Sequence, residues 1–139
     1  MITLSIIQPK DIKEILSRRK RIAVVGLSDK PNRTSYQVAN YMRQAGYTII
    51  PVNPTVDEVF GIKAVPTLKD VDGSIDIVNV FRRSDALLEV AKETVDVQAK
   101  VFWAQLGLYH QEAESYLAKH HIPTIMNQCI KVAHQHYIL

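Results

Sequence analysis

What this chain has little of narrows its character before any motif is weighed. It carries one cysteine, which cannot form an internal disulfide, so a reducing, cytoplasmic setting is expected. No apolar run approaches the length needed to cross a bilayer, and no membrane partner is expected. Residues 1–7 are too short for a secretory signal and lack its charged start and cleavage site. Nor does one sign of charge dominate: 17 Lys and Arg against 14 Asp and Glu leave a net charge of +3. That balance fits an anionic ligand and is too weak to argue for nucleic acid. The run Arg18-Arg19-Lys20-Arg21 has no interleaved aromatics, so it reads as cations complementing a helix carboxyl end, not as a nucleic-acid patch.

Glycine is also scarce, and after Gly26 none follows until Gly46. A dinucleotide fingerprint needs two more glycines there and an acidic residue near the end of the second strand. Asn53 holds that acidic position, so ordinary NAD binding is disfavoured. A Walker phosphate loop is absent as well, because no glycine-lysine-serine/threonine triplet occurs. The five histidines do not make a metal set: His120 and His121 point apart, and His134 and His136 fall on different faces of a helix.

What is present is organised around residues 22–35. The run Ile22-Ala23-Val24-Val25 is too short for a helix and rich in β-branched residues, which predicts a strand buried on both faces. Gly26 and a polar loop follow, then Thr34 and Ser35 placed to cap a helix, with helical spacing at Val38, Ala39, Met42 and Ala45, closed by Gly46. A strand, a glycine turn and a helix N-terminus make a place for phosphate, and Arg33 adds positive charge.

The rest of the 139-residue chain alternates in the same way and predicts a single domain over 1–139. A helix is expected over 9–19, strands over 47–52, 75–80, 100–104 and 123–126, and irregular structure over 56–65. Ser84 is expected to cap a helix with Leu87, Leu88, Ala91 and Val95. Further helices are expected over 111–120, with Ala113, Tyr116 and Leu117 inward, and over 130–136. Pro51 suggests a position near a sheet edge or a strand's end. Alternation at this spacing predicts an α/β, Rossmann-like three-layer sandwich around a five-stranded parallel sheet, with strand order 3-2-1-4-5. Such sheets bind ligands beyond the carboxyl ends of their strands. The segments leaving those ends are 28–35, 53–54, 81–83, 105–107 and 127–129, where polar, cationic and glycine residues gather.

Four of these stretches carry a resemblance: Val24-Val25-Gly26-Leu27-Ser28, Pro51-Val52-Asn53-Pro54, Val80-Phe81-Arg82-Arg83-Ser84 and Trp103-Ala104-Gln105-Leu106-Gly107. Together they resemble the small single-domain CoA-binding proteins, which are similar to the CoA-binding domain of succinyl-CoA synthetase. The resemblance covers about residues 22–131. It implies phosphate contacts from Gly26, Ser28, Arg33 and Ser35, and a pocket lined by Asn53, Pro54, Phe81, Arg82 and Gln105. Leu27, Thr34, Gly107 and Cys129 join the candidate site from the same segments. The tail Met126-Asn127-Gln128-Cys129-Ile130-Lys131 departs from the family's usual pattern, with Gln128 for arginine and Ile130 for proline.

Other roles compete at several of these positions. Gly26 and Ser28 also suit a simple tight turn. Phe81 suits either the core or an adenine stack, and Trp103 suits the core. Of the adjacent Arg82 and Arg83 at most one faces a ligand, with Arg82 preferred. Cys129 is read as a buried, inert thiol before a reactive one.

Coenzyme A carries a pyrophosphate and a ribose 3′-phosphate. A charge-assisted hydrogen bond contributes roughly 1.5–3 kcal/mol. Three or four of them, less the costs of association, give affinity on the order of micromolar. The function expected is binding of coenzyme A or an acyl-CoA without catalysis. Competing readings are an acyl or thiol transferase using Cys129, a small NAD(P)-dependent oxidoreductase, and a CoA-responsive interaction subunit.

Overall fold

A computed structural model describes residues 9–139. The reading of residues 1–7 therefore lies outside the described residues. Helix α1 (Pro9–Arg18) opens the described chain with proline in its first turn and Ile12 and Leu16 buried. Strand β1 (Arg21–Val25) leads through Gly26 to α2 (Thr34–Gln44), and β2 (Thr48–Val52) follows. Two short strands, β3 (Glu58–Val59) and β4 (Ile62–Lys63), precede β5 (Ile77–Val80). Then come α3 (Leu87–Asp96), β6 (Val101–Ala104), α4 (Gln111–Lys119), β7 (Thr124–Ile125) and α5 (Ile130–Tyr137).

Five strands form one parallel sheet in the order β2-β1-β5-β6-β7. Counting only those five, the order is 2-1-3-4-5, which corrects the expected 3-2-1-4-5. Pro51 explains the difference. Among the described residues, the outer side of β2 carries only an isolated bridge between Val52 and Val65. There Val65 donates to the Pro51 carbonyl (3.0 Å) and Asn53 donates to the Val65 carbonyl (2.9 Å). Pro51 turns its nitrogen to the same side, where a full ladder would need the N–H it lacks. The strand with the proline thus takes the edge, and β5, buried at every position, pairs with β1 instead.

Helices α1, α2 and α5 cover one sheet face, packing on Ile22, Val24, Ile49, Ile77 and Trp103. Helices α3 and α4 cover the other, on Ala23, Val25, Val78, Val80 and Phe102. Trp103 and Phe102 are fully buried on opposite faces, as alternation along β6 requires. Tyr116, expected inward on α4, is only half-buried and lies tilted against His120, with ring centroids 4.6 Å apart.

Two local expectations are corrected. Residues 56–65 contain the β3–β4 hairpin rather than irregular structure; Phe60 (φ 57°) and Gly61 (φ 73°) make its turn. Two consecutive positive φ values normally call for Asn-Gly or Gly-Gly, so Phe60 hides the signal. Its ring is held there against Tyr36, at 4.7 Å, and the Arg43 guanidinium, at 4.8 Å. Ser84 does not cap α3. It begins a 3-10 turn over Ser84–Ala86, and its hydroxyl accepts from Tyr109 N–H at 3.2 Å.

At the amino edge of the sheet, the Asp76 carboxylate accepts from the N–H groups of Lys20 (3.1 Å) and Arg21 (2.9 Å). The Arg21 guanidinium donates to the carbonyls of Ser74 (2.6 Å) and Asp72 (2.7 Å). On the α1/α2/α5 side, Tyr41 Oη lies 2.8 Å from Nδ1 of the buried His134, and Tyr47 donates to the Leu16 carbonyl. Burial, and secondarily the Lys20 charge, hold the His134 pKa below the ordinary histidine value.

Candidate functional site

The order 2-1-3-4-5 reverses between β1 and β5, so the switch point lies where Gly26 and Phe81 leave adjacent strands. Gly26 has φ +86°, and a Cβ on it would lie 2.2 Å from the Phe81 carbonyl oxygen. Any side chain there would collide with backbone, so glycine is dictated by this approach.

Helix α2 begins just above. Arg33 is its N-cap in extended conformation, and no side chain makes a capping hydrogen bond. Thr34 and Ser35 therefore do not cap it, contrary to expectation. Ser35 is buried, and its hydroxyl accepts from Ser28 N–H at 3.0 Å; the Ser28 hydroxyl accepts from Lys30 N–H at 3.0 Å. The two serines shape the loop, which leaves the first N–H groups of α2 for something else.

Asn53 bridges two loops: its amide donates to the Leu27 carbonyl (3.0 Å), while its oxygen accepts from the N–H (2.9 Å) and hydroxyl (2.8 Å) of Thr55. These bonds account for amide chemistry, where a dinucleotide fold would place a carboxylate.

Three clefts open along this edge, and Phe81 lines all of them. One of about 550 Å³ includes Ser28, Lys30, Arg33, Thr34 and Asn53. A second of about 610 Å³ runs past Pro54, Pro66, Arg82, Glu89 and Glu93. A third of about 690 Å³ is bounded by Arg82, Arg83, Gln105, Leu106, Leu108 and Cys129. Among the described residues, Arg33 and Arg82 make no side-chain hydrogen bond or ion pair, whereas Arg83 pairs with Asp85 at 3.5 Å.

The remaining sequence candidates divide. Leu27 is fully buried, its carbonyl is taken by the Asn53 amide and it lines none of the three clefts, so the structure does not bring it to the site. Gln105 is buried and its oxygen is engaged, accepting from Asn79 (3.3 Å) and from the Ile130 N–H (3.0 Å). It pins the start of α5. Gly107 lies beyond the three clefts, its N–H given to Asn127 Oδ1 at 2.7 Å. Cys129 is half-buried and forms the N-cap of α5. The sequence reading missed Lys30, Thr55, Leu106 and the Glu89/Glu93 pair as lining residues. Lys30 and Leu106 lay within post-strand segments already identified, but the glutamates sit on α3, with no local signal.

The model of the CoA binding domain matches this chain over residues 20–135. The chain belongs to the CoA binding domain family. Within and around that family, it is 60% identical over 124 residues to the uncharacterized protein YneT of Bacillus subtilis, spanning 89% of this chain and 92% of that one. A hypothetical protein from Pyrococcus horikoshii OT3 superposes with a TM-score of 0.92 at 33% identity, covering 95% of this chain and 93% of its own. An ADP-forming acetate–CoA ligase of Methanocaldococcus jannaschii is 28% identical over 78 residues. That match covers 56% of this chain and 11% of the ligase, so this CoA binding domain corresponds to a small part of that enzyme.

Proposed function

We propose that this protein binds coenzyme A along the carboxyl edge of its sheet, with no catalysis of its own. The observation that carries the reading is the uncapped amino end of α2, with Arg33 beside it, unpaired among the described residues, facing the 550 Å³ cleft. An anion there meets free N–H groups, the positive end of the helix dipole and a guanidinium together. Family membership supplies the ligand class, and the ADP-forming ligase relative is named for a reaction that uses CoA.

Calorimetric titration with CoA, dephospho-CoA and NAD tests the proposal. CoA binds on the order of micromolar, and dephospho-CoA binds roughly ten- to a hundredfold more weakly through loss of one charge-assisted contact. Binding of NAD with no binding of CoA would overturn it.

A further inference from the structure

Beyond the 690 Å³ cleft, the same edge continues into a fourth, smaller one of about 270 Å³. The two share Leu106 and Cys129, and the far one adds Val132, Ala133 and Tyr137. The chemistry of the edge changes along its length. Around α2 the lining is Ser28, Lys30 and Arg33; around α5 it turns mainly apolar, with Leu106, Val132, Ala133 and Tyr137 and with Asn127, Gln128 and His136 as its polar members. Leu106 and Val132 are 69% and 58% exposed. Single exposed apolar side chains are ordinary, but these two line one continuous depression.

That depression is also held in shape. Three hydrogen bonds from β6 and the loop after it fix residues 127–130. Trp103 Nε1 donates to the Gln128 carbonyl (2.9 Å), Gln105 Oε1 accepts from Ile130 N–H (3.0 Å), and Gly107 N–H donates to Asn127 Oδ1 (2.7 Å). Gly107 (φ 89°) and Asn127 (φ 61°) both take left-handed backbone to make the last of these. The Leu106 loop is thereby tied to the start of α5, and little ordering remains for a ligand to impose.

We infer that the preferred ligand is a medium-chain acyl-CoA, whose acyl group lies in the apolar depression between Leu106 and α5. This rests on the CoA reading above. A molecule with phosphates at one end and a hydrocarbon at the other matches the polarity of the edge in one direction only. The anionic end goes to α2, and the thioester end passes Cys129 to reach Val132.

The test is a titration series of CoA, acetyl-, butyryl-, hexanoyl- and octanoyl-CoA. A fully buried methylene contributes ~0.8 kcal/mol, about fourfold in affinity. In an open depression about half that area is covered, so affinity rises about twofold per methylene and about tenfold or more from acetyl to hexanoyl. Val132→Asp, a substitution compatible with the first turn of α5, leaves CoA affinity within about twofold and flattens the series.

A flat series with CoA still bound overturns this inference and leaves the CoA reading standing. Failure of CoA itself to bind overturns both. A flat series together with a dimer that Val132→Asp dissociates in sedimentation assigns the apolar surface to a second copy, and also overturns the inference.

Discussion

The two edges of the sheet treat their arginines in opposite ways. At the amino edge, Arg21 is locked: its guanidinium serves two backbone carbonyls, and Asp76 ties the chain on either side of the β1 start. At the carboxyl edge, Arg33 and Arg82 have no partner among the described residues and stand beside clefts. The same residue type is structural at one end and available at the other. Strands alone do not create this difference. It arises because the amino edge has turns whose carbonyls face inward to Arg21, while the carboxyl edge has an uncapped helix and a glycine contact that keeps the backbone accessible.

The largest effect that sharpens this contrast comes from Gly26→Ala. Its Cβ would meet the Phe81 carbonyl at 2.2 Å and its φ would remain near +86°, so urea denaturation should show a loss of roughly 3 kcal/mol. An unchanged midpoint would show that β1 and β5 do not approach so closely at the switch point. Next comes the exchange of phenotypes between arginines. Arg33→Ala should weaken CoA about tenfold with stability unchanged, whereas Arg21→Ala should lower stability by about 1 kcal/mol with CoA affinity unchanged. If both variants moved the same property, the division between the edges would be broken.

The smallest effect comes from a residue at neither edge. Neutral His134 is favoured in the folded state, since burial and then Lys20 lower its pKa, while the unfolded chain binds the proton near the ordinary value of 6.5. Its contribution is complete above about pH 6.5 and is lost as pH falls through the lower folded value. Urea midpoints should therefore drop on acidification below that point. His134→Gln should reduce the slope, and an identical slope in both proteins would remove His134 as its source.

Much of the fold could be read from local pattern. The alternation of short apolar runs with amphipathic helices gives the parallel three-layer sandwich, because each element's periodicity is set by the faces it buries. Strand order could not be read in the same way, since it depends on which strand tolerates an unpaired side. Pro51 carried that information, and it favours an edge for β2 more strongly than any rule about consecutive strands favours placing it inside. The β3–β4 hairpin was hidden for another reason: Phe60 holds a left-handed conformation through contacts with Tyr36 and Arg43, neighbours on α2. At the candidate site, the post-strand segments located the edge, but they could not separate residues facing a cleft from residues holding the loops. Gln105, Ser35 and Asn53 have side-chain bonds within the protein, and only tertiary geometry shows it.

The flanks of the sheet carry one more consequence. On one side, the buried Pro51 and Val52 of β2 carry only a lone bridge to Val65 among the described residues; on the other, β7 is two residues long. Among the described residues, Pro51 interrupts the outward amides of β2 and β7 is too short to present a run of them, so neither is a long template for a foreign strand. A molecule trimmed in this way resists stacking into fibres even when concentrated.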